Sequence, residues 1–238
     1  MQNFTNTKAA ILGLSIGLGI LIAGIFIGQG FYKSRMADRF VTVKGLAEKE
    51  VDADLAIWPI TFKEAGQDLL LLQKNVDQKK EVITKFLLDK GFSKEEISHS
   101  APKIFDSYAE MYNNNQQGPR FRMQKTITLR SSNVKLVKET MELSGELVAK
   151  GIVLSESWEN RTEFLFTSLN DIKPEMIREA TINAREAADK FAEDSGSKVG
   201  KIRKATQGFF NIRDRDANSP DKKVVRVVTT IEFFLADN

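Results

Sequence analysis

The chain has 238 residues, 42% hydrophobic and 28% charged, which fits a globular protein with length enough for a real core and excludes a disordered or fibrous one. It contains no cysteine, which excludes disulfides, thiolate catalysis and Cys-ligated zinc. Its 35 basic and 32 acidic residues leave a net charge of +3, too balanced to draw in nucleic acid or anionic lipid through a global field.

Residues 9–32 carry no charged side chain, and Lys8 is the only charge in the first 32 residues. As a helix this run is roughly 36 Å long, enough to cross a hydrocarbon layer of about 30 Å. It exceeds the apolar stretch of about 7–15 residues in a cleaved signal peptide, so the expectation is an uncleaved single-span anchor, with a cleaved signal as the alternative. Gly13, Gly17, Gly24 and Gly28 fall on one stripe of this helix. Such a stripe lets helix backbones approach closely in lipid, although glycine is also common in membrane helices generally. Lys33, Arg35 and Arg39 come after the span, and the positive-inside count taken alone puts the rest of the chain in the cytoplasm.

Beyond the span, residues 40–46 alternate as a strand. Residues 53–62 form another, with Ala56, Trp58, Ile60 and Phe62 on one face and Pro59 implying an edge or a bulge. Residues 68–90 have the apolar period of a helix through Leu69, Leu72, Val76, Ile83 and Leu87, and Gly91 ends it. Ser93 and Glu96 have capping-box spacing. Residues 97–112 read as one long strand, 113–118 as a turn, and 120–130 as the returning strand with Phe121, Met123, Ile127 and Leu129 on one face.

A helix over 134–150 comes next, with Val137, Met141, Ser144 and Val148 inward, then a strand over 163–169. A third helix begins at Asp171 with Pro174 in its first turn. Its predicted stripe is Ile177, Ala180, Ala184, Ala187 and Phe191, and Gly196 and Gly200 end it. Residues 201–216 and 222–235 form a closing hairpin around Asn218-Ser219-Pro220. The fold class expected is α+β: an anchor in residues 1–36, then one domain in 37–238 made of two pseudo-repeated β-α-β-β units joined by a helix, with helices packed on antiparallel sheet.

Candidate chemistry is sparse. His99 is the only histidine, and Ser98 and Ser100 beside it in a strand do not make a nucleophile–base pair. Asp52 and Asp54 would share a strand face, which reads as a solvated edge rather than a metal site. No glycine-rich phosphate loop is present outside the span. Lys198, Lys201, Arg203 and Lys204, with Phe209 and Phe210 nearby, lack the aromatic signature of an RNA-binding sheet, so no nucleic-acid partner is expected. Arg213-Asp214-Arg215-Asp216, near the tip of the last hairpin, puts two arginines on one strand face and two aspartates on the other. It is either a self-screening tip or a contact point for a neighbouring subunit or ligand. No catalytic, metal or cofactor residues are assigned.

The segments Asp171-Ile172-Lys173-Pro174-Glu175-Met176-Ile177, Asn183-Ala184-Arg185-Glu186-Ala187-Ala188 and Asp194-Ser195-Gly196-Ser197-Lys198-Val199-Gly200-Lys201-Ile202 resemble the SIMPL-domain family. Gln207-Gly208, Val224-Val225-Arg226-Val227-Val228 and, earlier, Val41-Thr42-Val43-Lys44-Gly45-Leu46-Ala47-Glu48 and Ala53-Asp54-Leu55-Ala56-Ile57-Trp58-Pro59 extend the likeness over about residues 38 to 236. The resemblance implies a bacterial envelope protein, some of whose relatives are linked to oxidative-stress tolerance and at least one of which assembles into a large ring. It carries no catalytic residues across, and it places the domain outside the cytoplasm, against the charge count. The expectation is therefore a non-enzymatic, membrane-anchored homo-oligomer of the inner membrane facing the periplasm. The alternatives are a ligand-binding module with a pocket between helices and sheet, for an unknown ligand, and a hydrolase using carboxylates alone.

Overall fold

The computed structural model describes residues 2–36, 39–109, 118–155 and 160–237. Most of the turn expected at 113–118, and residues 110–112 of the strand before it, lie outside these. In chain order the elements are α1 (Gln2–Met36), β1 (Phe40–Asp52), β2 (Leu55–Gly66), α2 (Leu69–Asp89), a 3-10 turn (Lys94–Glu96), β3 (Ile97–His99) and β4 (Lys103–Asp106). They continue as β5 (Phe121–Ser131), α3 (Val134–Glu142), α4 (Gly145–Ala149), β6 (Glu163–Leu165), α5 (Leu169–Asp194), β7 (Ser197–Gln207), β8 (Asn211–Asp214) and β9 (Lys222–Asp237). This is a mixed arrangement of helices and antiparallel strands.

The strands form two sheets, one ordered β1-β9-β7 with β8 also on β9, the other ordered β3-β5-β2-β6 with β4 also on β5. They do not divide along the two expected halves of the chain: β1 joins the sheet of β7 and β9, and β6 joins the sheet of β2 and β5. The chain separates into two compact units. One comprises Met1–Glu48, Lys173–Asn211 and Arg226–Asn238; the other comprises Lys49–Ile172 and Ile212–Val225.

In the second unit the alternation of β2 works as expected. Ala56, Trp58, Ile60 and Phe62 are buried, and β5 contributes Met123, Ile127 and Leu129 to the same face. Helix α2 covers that face with Leu72, Val76, Ile83, Phe86 and Leu87. Each such large side chain contributes about 1.5–3 kcal/mol by leaving water. Asp68 caps α2 by accepting from the Leu71 N–H at 2.9 Å, and Gly91, at φ 98°, takes the left-handed turn that ends it. Pro59 opposes Thr128 of β5. On the other edge of β2, β6 reaches only Leu55 to Ile57 and the next bridge is Phe62 with Leu154, so among the described residues Pro59 sits in a gap between partners.

The structure corrects three expected elements. The strand over 97–112 is broken into β3 and β4: His99 opposes Ile127 and Lys103 opposes Gln124, so four steps on one strand match three on β5. The extra residue is taken up around Pro102, which cannot donate to a ladder. The helix over 134–150 is two short helices, interrupted at Leu143 and Ser144 ahead of Gly145. Its buried residues are Val137, Thr140 and Leu147, while Val148 is exposed. The strand over 163–169 covers only Glu163–Leu165, because α5 already begins at Leu169.

In the first unit α5 lies on β1 and β9 through a short core of Val43, Ala184, Ala188, Ile231 and Phe233. Its buried stripe is Met176, Ala180, Ala184, Ala188 and Ala192; Ala180 and Ala184 are as predicted, Ile177 and Ala187 are half-buried, and Phe191 is 61% exposed. Pro174 is in the sixth position, past the first turn. Gly196, at φ 66°, comes directly after the helix, whereas Gly200 lies inside β7 beside the Phe234 carbonyl. Helix α1 contains an apolar run, Ile11–Phe31, of 21 residues with mean hydropathy 2.4 and no buried residue.

Candidate functional site

Strand β8 runs only to Asp214, with all four residues exposed, so the alternation expected through Arg213, Asp214, Arg215 and Asp216 stops halfway. Arg215 and Asp216 stand in the turn and hold each other, with Nε to Oδ2 at 2.9 Å. The Arg215 N–H donates to the Lys222 carbonyl at 2.8 Å, and its guanidinium also donates to the Ser219 hydroxyl and approaches Glu50 at 3.7 Å. The hydrogen bond from Arg215 lowers the Asp216 carboxyl below its ordinary value, and the same bond raises Arg215. Asp214 is paired with Lys223, Asp52 with Lys222 at 2.5 Å, and Asp221 with Lys138 at 2.8 Å. The tip is thus an exposed lattice of opposite charges that largely neutralises itself.

Asp52 and Asp54 do not share a strand face. Asp54 stands between β1 and β2 and accepts from the Thr167 N–H at 2.7 Å, the Thr167 hydroxyl at 2.9 Å and the Ser168 N–H at 2.8 Å, at the entry to α5. Burial works to raise its carboxyl, but the hydrogen bonds from Ser168 and Thr167 outweigh that and lower it. Its role is to satisfy two backbone donors.

His99 lies exposed on β3. The Ser98 hydroxyl donates to the Thr128 carbonyl and the Ser100 hydroxyl accepts from the Thr126 N–H, so each serine is engaged with β5. Burial, then the positive charges of Lys80 and Lys125, lower the imidazole below its ordinary value. Among the described residues no group of three or more His, Asp or Glu is placed to hold a metal ion.

The basic run lies along β7. Arg203 reaches Glu232 at 3.4 Å and stacks over Phe40 at 4.1 Å. Phe209, just beyond, is 99% exposed. Gly13, Gly17, Gly24 and Gly28 lie on α1, where a Cβ on any of them would meet nothing within 4 Å.

The space expected as a pocket between helix and sheet is filled by Val76, Ile83, Leu87, Ile60, Phe62 and Ile127, each at most 2% exposed. Two positioning residues fall outside the candidates read from the sequence. Asn183 on α5 donates to the Leu46 carbonyl at 2.7 Å, and Gly45 lets α5 approach β1. A signal for Gly45 is nonetheless present, since a glycine inside an alternating strand marks a close backbone approach.

No curated protein matches the chain. The profile of the SIMPL family, described as a protein of unknown function (DUF541), matches residues 41–232, which is most of the chain and nearly all of it beyond α1. The resemblance of the segments between Val41 and Val228, the two antiparallel sheets and that match agree: the chain belongs to the SIMPL family.

Proposed function

We propose that this protein is a single-span component of the bacterial inner membrane whose folded region stands in the periplasm, associates with further copies of itself and catalyses no reaction. The observation that carries the reading is α1, whose apolar run of 21 residues has none buried and is long enough to cross a membrane. The small-residue stripe on α1 supports close approach of a second span.

The first sheet supports association beyond the membrane. Its outer strands, β1 and β7, each offer an edge with no strand partner among the described residues. Two β7 edges brought together would set Lys198, Lys201, Arg203 and Lys204 against their own copies. A β7 edge brought to β1 would meet Glu48, Glu50 and Asp52. Head-to-tail pairing of this kind generates rings or filaments. A role in oxidative-stress tolerance is part of the same proposal, tested by peroxide survival of cells lacking the protein.

The deciding experiment is the native mass of the full chain in mild detergent beside a chain beginning at Ala37. A large uniform assembly in both supports association by the folded region. Assembly of the full chain alone assigns it to α1, and monomers in both retire the proposal. A C-terminal tag cleaved by added protease after outer-membrane permeabilisation is the outcome expected for a periplasmic domain; a protected tag places it in the cytoplasm.

A further inference from the structure

The second sheet has one face under α2 and one face turned away from it. On the outward face, register sets Lys63 of β2 beside Gln124 of β5 and Lys103 of β4. It sets Ala65 beside Arg122 and Phe105 in the next rank. Lys63, Gln124, Ala65, Arg122 and Phe105, with the intervening Glu64 and Met123, line a cleft of about 450 Å³. That volume is within the range of small-molecule sites, about 300–1,000 Å³.

The charges around this cleft are unevenly matched. Neighbouring cations are matched: Lys79 holds Glu64, and Arg120 holds Asp106 at 2.9 Å. Lys63, Lys103 and Arg122 have no acidic partner among the described residues. The one carboxylate in the lining, Glu64, alternates onto the opposite face of β2 and is taken by Lys79, which also donates to the Gly151 carbonyl at 2.9 Å. Two of these cations, Lys63 and Arg122, line the cleft, and its one carboxylate is already held by Lys79. Arginine offers a planar fork that matches a carboxylate or phosphate, and lysine a mobile point charge. Phe105, 43% exposed, adds a flat apolar wall in the same rank as Arg122. Gln124 offers a neutral donor and acceptor between the two cations.

We infer that this cleft binds a small anion built on a flat apolar body, an aryl phosphate or aryl carboxylate, with Arg122 and Lys63 holding the anionic group and Phe105 packing against the ring. The site lies within one unit of one chain and does not depend on assembly.

The test is calorimetric titration of the full chain in mild detergent with phenyl phosphate, benzoate, inorganic phosphate and benzyl alcohol. Saturable binding of phenyl phosphate or benzoate is expected, tighter than that of inorganic phosphate, weakened by added salt, and absent for benzyl alcohol. The double substitution Lys63→Ala, Arg122→Gln should weaken it at least about tenfold, the loss of one to two charge-assisted contacts. Phe105→Ala should erase the preference for phenyl phosphate over inorganic phosphate. All three side chains are exposed, so an unchanged thermal midpoint certifies each variant as folded. No saturable heat with either aryl anion, or binding that the double variant retains in full, overturns the inference.

Discussion

A Cβ placed on Gly45 would stand 1.8 Å from the Ala180 carbonyl oxygen, so the closest approach of α5 to β1 is fixed by the absence of a side chain on the strand. The same Cβ would lie 2.6 Å from the Ala184 nitrogen. Because the first atoms met are backbone, shortening a side chain on α5 gives no relief. Gly45→Ala must push the helix away and open the packing around Val43, Ala184 and Phe233. The expected cost is about 1–3 kcal/mol or more, read as a lower urea midpoint. An unchanged midpoint would mean that α5 rides higher on the sheet.

The Ala180–Gly45 contact also explains why periodicity finds Ala180 and Ala184 on α5 but misplaces the rest of the stripe. Periodicity selects the largest apolar residues as the inward ones, and so selects Ile177 and Phe191. At this separation only alanine fits, and the buried stripe runs through Ala180, Ala184, Ala188 and Ala192 while Phe191 faces solvent. By contrast β2, α2 and β5 are legible because they pack at ordinary distance, where larger residues do mark the core. The pairing of β1 with β9 is not legible, since no local pattern encodes a partner at the far end of the chain. The cation-lined cleft is equally hidden, because Lys63, Phe105 and Arg122 come together only through strand register.

Asp54 should behave as a structural acid. Asp54→Ala leaves the Thr167 and Ser168 N–H groups without their acceptor, and a loss of about 1–3 kcal/mol is expected from chemical denaturation at pH 7. The folded carboxyl lies below its ordinary 3.8, so its contribution is fully present above that value and is lost as pH falls through the lower, folded one. The gap between wild type and variant should therefore close in acid. A gap that persists unchanged to pH 2 would show that the carboxylate charge plays no part.

His99 gives a slope of the same sign at higher pH. Its imidazole is depressed below 6.5 by burial and by Lys80 and Lys125, so the unfolded chain binds the proton more readily than the folded one. Stability should be constant above that value and decline as pH drops below it. His99→Gln should remove this part of the slope. A histidine proton resonance that titrates above 6.5 in the folded protein would contradict the assignment.

At the hairpin tip, stability and association should separate. Arg215 is exposed and its partners are surface groups, so Arg215→Ala should leave the thermal midpoint little changed. If the tip meets a neighbouring subunit, Arg213→Glu with Arg215→Glu should lower the native mass without unfolding the protein. An unaltered mass would assign the tip to self-screening alone.

The Leu235 N–H donates to the Arg39 carbonyl at 2.9 Å, so the first residues after the span meet the last residues of β9. The unit that contains them is assembled from three separated pieces of chain, while the other is drawn mostly from the continuous stretch Lys49–Ile172. During synthesis β1 emerges first and finds its sheet partner last. Closing so long a loop is slow, and until then Val41 and Val43 stay uncovered. The middle of the polypeptide can acquire its structure early, whereas the unit that holds β1 and β9 waits for the final residues to arrive. Truncation at the carboxyl end would thus be felt first at the opposite terminus, as a nascent strand open to proteolysis or to pairing with the wrong chain.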